Sequence, residues 1–302
     1  MYRAIDFNIQ KMKYGLLRSL FVEGRGGIGK SYNIRKSLER HGFIEITDEN
    51  KHIFDMADKE TKEKYYKVIA GAGVSDAYLY RLLYEYNYAI IWFKDVGRML
   101  NSQKTIDHLN TATETDGKRI ITNYNYSSKQ IDLPEYFEFG GKIIFDYNAV
   151  NKKNKLSFEA LISRGEHIHL VMSNEQIFSV MQRIAKNNDE KEVTSYIIKN
   201  FKNKVNLRVQ QRAFNTYRLC KKLKIDWKME LKREIESMRT PKQKMIYELI
   251  GNSKIRRTEL RKLMCRRLDM TKRRADRFLE NMLDTGELRK IGTNERNYEV
   301  CL

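Results

Sequence analysis

Gly24, Gly26, Gly27 and Gly29 crowd the segment "FVEGRGGIGKSYNIRKSL", which passes from an apolar run through Lys30 and Ser31 into a basic stretch. Residues 24–31 satisfy the spacing G-x-x-x-x-G-K-[ST] in full. Every glycine costs conformational entropy on folding, so four together imply a guest that must approach the backbone closely. The bare N–H groups of such a loop can wrap a phosphate, and the N-terminus of a following helix adds favourable partial charge. Lys30 would reach the β- and γ-phosphates of a nucleoside triphosphate, while the Ser31 hydroxyl would ligate Mg2+. The expected ligands are therefore ATP and Mg2+.

This chemistry requires a strand, the loop and a helix in that order. "LLRSLFVEG" reads as the strand and "KSYNIRKSLERHG" as the helix, with Ile34 and Leu38 four apart and Gly42 at its end. Further on, the apolar runs "HGFIEITD", "YNYAIIWFKDV", "GGKIIFDYN" and "GEHIHLVM" alternate with helical stretches, as a parallel sheet with crossover helices demands. From "VMSNEQIFSVMQRIAK" onward the pattern turns wholly helical, with Ser173 and Gln176 placed as a capping box. Pro241 opens a last segment whose helices are expected at "TPKQKMIYELIGN", "IRRTELRKLMCRR" and "DMTKRRADRFLENML". In the third of these, Ala275, Phe278, Leu279, Met282 and Leu283 form one apolar stripe opposite Arg273 and Arg277. "GELRKIGTNERNYEV" reads as two short strands round a turn. Three helices and a hairpin make a winged helix-turn-helix with the third helix as groove reader, and Lys272, Arg273, Arg274 and Arg277 are its expected contacts to DNA phosphates.

Charge points the same way. The 302 residues hold 58 Lys+Arg against 39 Asp+Glu, a formal +19, which favours a polyanionic partner such as nucleic acid over a merely solvated surface. Residues 241–302 hold 16 Lys+Arg against 9 Asp+Glu, more than their share of the excess. Cys220, Cys265 and Cys301 are odd in number and widely spaced, which argues for a reducing compartment and against a disulfide framework or a zinc site. The longest apolar run, "YAIIWF", is too short to span a bilayer. A cytoplasmic protein with no membrane partner is expected. The segment "NYNYSSKQIDLPEYFEFGG" would be either a hairpin stacking its tyrosines and Lys129 against nucleic acid or a loop shielding a sheet edge.

The glycine loop, "YKVIAGAGVSDAYLYRLLYEYNYAIIWFKDVGRML" and "GGKIIFDYNAVNKKNKLSFEALISRGEHIHL" together resemble the AAA+ ATPases, closest to small phage-type members and more distantly helicase loaders and origin-recognition proteins. The resemblance covers roughly residues 14–235. It implies an α/β AAA+ P-loop core over 1–170 (a parallel sheet flanked by helices), an α-helical lid over 171–238 and the winged helix over 239–302. It also implies roles. Asn148 stands where the first sensor orients the attacking water, and Arg164 of the Ser163-Arg164 pair would serve a neighbouring subunit's nucleotide. Arg218 would be the second sensor, with Arg208 as a rival.

One departure stands out. Family members end the second conserved strand with two acidic residues, yet here Lys94 and Asp95 occupy those places. A lysine beside Mg2+ is electrostatically wrong. Either Asp95 is the metal-side acid with the register shifted by one, or the metal site is weakened and Asp95 acts as base. Both imply a slow ATPase yielding ADP and phosphate. The resemblance then implies an ATP-dependent protein assembling as a ring or filament on DNA, in replication initiation or helicase loading, with a helicase or other replication protein as a further partner. The alternative is a non-catalytic DNA-binding regulator that uses ATP as an assembly switch.

Overall fold

The computed structural model describes residues 2–70, 74–95, 103–123, 133–148, 155–201, 206–237, 255–267, 270–284, 288–291 and 297–300. The chain forms two compact units, Met1–Val171 and Met172–Leu302.

The first unit is a six-stranded sheet of β1 (Ser19–Gly24), β2 (Ile44–Glu45), β3 (Tyr65–Ala70), β4 (Ile90–Lys94), β7 (Lys142–Tyr147) and β8 (Glu166–Leu170), in the order β2-β3-β4-β7-β1-β8. Every pairing in it is parallel. The three middle strands β4, β7 and β1 are buried almost throughout. Parallel sheets require this, because their crossover helices cover both faces. One face carries a row of aromatic rings set by the register. Phe145 stacks on Phe21 at 4.7 Å and on Phe93 at 5.7 Å. That row belongs to a core with Leu79, Leu82 and Leu83 of α5 (Asp76–Glu85), Leu109 and Ala112 of α6 (Gln103–Ala112), and Phe158 and Leu161 of α7 (Lys155–Ile162). Because side chains alternate along a strand, Asp146 faces away from this core. It looks toward α2 (Lys30–Arg40), against which α1 (Arg3–Lys13) packs, while the short helices α3 (Lys51–Met56) and α4 (Lys59–Lys62) join β2 to β3.

Two strands differ from the sequence reading. "HGFIEITD" keeps only two residues of strand, and β3 was not among the four expected downstream runs. The segment 123–141 follows β5 (Ile120–Thr122) and includes β6 (Tyr136–Glu138), which pair antiparallel. Its Phe137 packs edge-on against Tyr80 and Tyr84 of α5. Lys129 and the tyrosines at 124 and 126 lie outside the described residues.

The second unit starts with four helices, α8 (Asn174–Ile184), α9 (Asn188–Asn200), α10 (Leu207–Leu223) and α11 (Trp227–Ser237). The expected capping box is present, with Ser173 and Gln176 bonding reciprocally. Buried Gln210 of α10 donates to the Met181 carbonyl at 2.7 Å and to Thr194 Oγ1 at 2.9 Å, tying three helices together. Further along, the strand Ile255–Arg256, the helices Arg257–Arg267 and Lys272–Asp284, and the strands Leu288–Ile291 and Asn297–Val300 follow in order. Asn297–Val300 pairs antiparallel with both other strands. Leu260, Met264, Met270, Ala275, Leu279 and Met282 form the core of this part, with Phe278 and Leu283 against it. The helix expected at 241–251 lies outside the described residues.

Candidate nucleotide site at the phosphate loop

The loop sits at the carboxyl end of β1, where parallel α/β sheets hold ligands. Gly27 and Gly29 take left-handed conformations, φ +78° and +89°, which side chains with a Cβ adopt at a cost. Gly29 is the N-cap of α2, so the chain turns at this glycine and aims the first N–H groups of the helix outward from the sheet end. Asn33 Nδ2 donates back to the Gly29 carbonyl at 2.8 Å, and the Tyr2 hydroxyl donates to the Ile28 carbonyl. These contacts hold the loop in shape from its flanks. Gly24 and Gly26 complete the segment, with Gly24 as the last residue of β1.

Lys30 is the first residue of α2 and only 6% exposed. Its ammonium donates to the Gly24 carbonyl at 2.7 Å, the Arg25 carbonyl at 3.1 Å and Asn148 Oδ1 at 3.0 Å, and stands 3.8 Å from Asp146 Oδ1. The Ser31 hydroxyl donates to Asp146 Oδ2. Asp146 is fully buried, and its Oδ1 has no hydrogen-bond partner. Burial pushes the Asp146 carboxyl above the usual carboxylate range; the Ser31 hydroxyl, Lys30 and Lys94 oppose that shift, whereas Asp95 adds to it.

Two sequence candidates, Lys30 and Ser31, are thus joined to a third, Asn148, through β7, which lies directly beside β1. Asp95 is placed differently. It is exposed, has φ +57°, and its N–H donates to the Asp146 carbonyl at 2.7 Å. The carboxylate on Ser31 belongs to Asp146, which the sequence reading passed over. Its signal was an acid inside "KIIFDY", a run buried at all six positions. The donor set fits a Mg–nucleotide: glycine amides and a helix N-terminus for phosphate, Lys30 for its charge, and Ser31 with a buried carboxylate for a hard cation.

Arg164 lies at the other end of the sheet. Its carbonyl accepts from Ser19 Oγ at 2.9 Å, and Ser19 begins the strand that Gly24 ends. Its guanidinium bonds Glu114 Oε2 and Asn110 Oδ1, both at 3.3 Å, and the Ala160 carbonyl at 2.9 Å. Arg218, on α10, pairs with Glu190 at 2.9 Å, and exposed Arg208 is the second residue of the same helix. Lys272, Arg273, Arg274 and Arg277 are all exposed, while Asp276 between them pairs with Arg261 at 3.1 Å.

A parallel sheet with the glycine loop after β1 and a crossover helix behind it defines a P-loop core. No protein-family model matches the chain, and no curated protein matches it either. Solved structures do. A proline-to-glycine variant of RuvB from Thermotoga maritima superposes with TM-score 0.50 over 99% of this chain and 91% of its own, at 12% identity. An arginine-to-alanine variant of the same protein gives 0.52 over 99% and 90%, at 13% identity. The likeness is one of fold, and it shows that this chain has the AAA+ core fold.

Proposed function

We propose that this protein binds ATP with Mg2+ at the loop 24–31 and uses the nucleotide to control its assembly on DNA. The observation that carries the reading is the left-handed glycine turn that delivers Lys30 and Ser31 to the sheet end beside Asp146 and Asn148. Mg2+ bound there would neutralise phosphate charge and polarise the γ-phosphate. Asn148, which accepts from the Lys30 ammonium at 3.0 Å, would act as the first sensor. Arg164, at the opposite end of a six-residue strand, is roughly 16 Å along the strand from its own loop. It therefore serves a neighbouring copy's nucleotide, after leaving Glu114, in a ring or filament. Arg218 is the second sensor of this reading, with Arg208 its rival.

The exposed basic face of the helix Lys272–Asp284 supports DNA backbone contact by a winged helix. Replication initiation or helicase loading is the setting proposed, with a helicase as candidate partner. Lys94 favours a second reading, a DNA-binding regulator in which ATP is a switch and turnover is negligible. Phosphate release with and without duplex DNA separates the two. The test of the shared core is Lys30→Ala, which should abolish binding of a fluorescent ATP analogue. Unchanged affinity in that variant would overturn the proposal.

A further inference from the structure

We infer that the carboxylate facing the metal of a bound Mg–nucleotide is Asp146 of β7, and that Lys94 of β4 is its cross-strand counter-charge. The inference rests on the nucleotide reading above and assigns the metal side of that site. In the parallel register of β4 and β7, Lys94 is the direct partner of Asp146. Residues so paired project to the same face of a sheet, and this face is the one that meets α2. The family resemblance places an acid where Lys94 stands and the first sensor, Asn148, at the end of the strand that carries Asp146. The negative charge is therefore retained at this level of the sheet, displaced by one strand spacing of about 4.8 Å toward the loop.

The displacement changes what the acid touches. On the strand next to β1, Asp146 reaches the Ser31 hydroxyl directly. The hydroxyl and the carboxylate that a hard cation would take as ligands are therefore already side by side. Its other oxygen, Oδ1, is buried and lacks a hydrogen-bond partner, with the Lys30 ammonium 3.8 Å away. A buried carboxylate oxygen left in that state is costly unless a cation supplies the missing partner. Asp95 lacks these features. It is exposed, and its backbone N–H is engaged by the Asp146 carbonyl. Lys94, half-buried beside Asp146, competes with a metal for the same carboxylate, so it lowers metal affinity without removing the site.

The experiment titrates a fluorescent ADP analogue into the full-length protein in EDTA and in Mg2+. Wild type should bind in both, more tightly with Mg2+. Asp146→Asn should keep the EDTA affinity and lose at least tenfold of the Mg2+ enhancement, whereas Asp95→Asn should stay within about twofold of wild type. Lys94→Ala should bind Mg2+ three- to tenfold more tightly, by removal of the competing ammonium. Should Asp146→Asn not fold, Asp146→Glu keeps the charge and should show a partial loss of the enhancement at unchanged EDTA affinity. If wild type binds no nucleotide under either condition, the nucleotide reading itself falls. If wild type binds but Mg2+ makes no difference, or if Asp95→Asn loses the enhancement while Asp146→Asn keeps it, the assignment to Asp146 is wrong and nucleotide binding stands. Unchanged or weaker Mg2+ affinity in Lys94→Ala overturns the role of Lys94.

Discussion

Replacing Lys30 by methionine tests the charge arrangement of the loop in the absence of any ligand. Lys30 Nζ and Asp146 Oδ1 are 3.8 Å apart, with side chains 6% and 1% exposed. At an effective dielectric constant of about 20, unit charges at that separation attract by about 4 kcal/mol. Methionine keeps an unbranched apolar stem, so the packing change is small beside that figure. With the ammonium gone, Asp146 is left buried on Ser31, and its cheapest response is to take up a proton. Burial already raises its carboxyl above the ordinary range, and Lys30 opposes that shift. In Lys30→Met the folded-state value rises further above the unfolded one. The folded state then holds the proton more tightly, so stability is greatest in acid and falls as pH climbs from the unfolded value through the folded value. The substitution should cost about 3 kcal/mol at pH 8, and about 1 kcal/mol near pH 4.5, where the proton stands in for the cation and only hydrogen bonds are missing. Trp92 is one of two tryptophans and lies in β4. Trp227→Phe therefore leaves a single indole reporting on the first unit during urea unfolding. Adding Asp146→Asn should recover about half the loss at pH 8, a coupling that a double-mutant cycle reads directly. A destabilisation equal at both pH values, or no coupling, would refute the buried pair.

Other outcomes follow from single contacts. Asp6 of α1 accepts from Ser37 Oγ at 2.6 Å and Arg40 at 2.8 Å, with His41 at 3.3 Å. The Ser37 hydrogen bond above all holds its carboxyl below the usual range. Asp6→Asn should therefore cost about 1 kcal/mol at neutral pH, and the difference should vanish as pH falls through the depressed folded value; thermal unfolding at pH 7 and in acid checks this. A Cβ on Gly165 would stand 2.2 Å from Ser19 Oγ and 2.5 Å from the Ser19 carbonyl. Gly165→Ala should thus force β1 and β8 apart at about 1–3 kcal/mol, and an unchanged thermal midpoint would contradict it. Arg273→Ala with Arg277→Ala should weaken duplex DNA binding regardless of sequence and reduce the salt slope by about 2; an unaltered slope in a binding titration would place the DNA contact elsewhere. Arg164→Ala should spare nucleotide binding and remove any stimulation of hydrolysis by assembly, and normal stimulation would return that arginine to an ordinary surface role.

What the sequence determined by itself is local. The spacing of Gly24, Gly29, Lys30 and Ser31 fixes the turn and the start of α2, because both depend on the φ freedom of neighbouring residues. Ser173 and Gln176 cap their own helix, and the stripe Ala275, Phe278, Leu279, Met282 and Leu283 turns inward by helical period alone. Asn148 is legible as the polar end of an apolar run, but its role follows only from the family resemblance and its contact with Lys30 only from the structure. What only the tertiary structure decided is which strands lie side by side. β3, a mixed polar and apolar run, becomes a strand through pairing with β4 and β2. Ser31 and Asp146 are 115 positions apart, and Lys94 meets Asp146 only through the strand order. An acid in an apolar run reads as a defect until the sheet places a hydroxyl and two lysines around it. Its charge is tolerable there because of neighbours that no window of sequence contains.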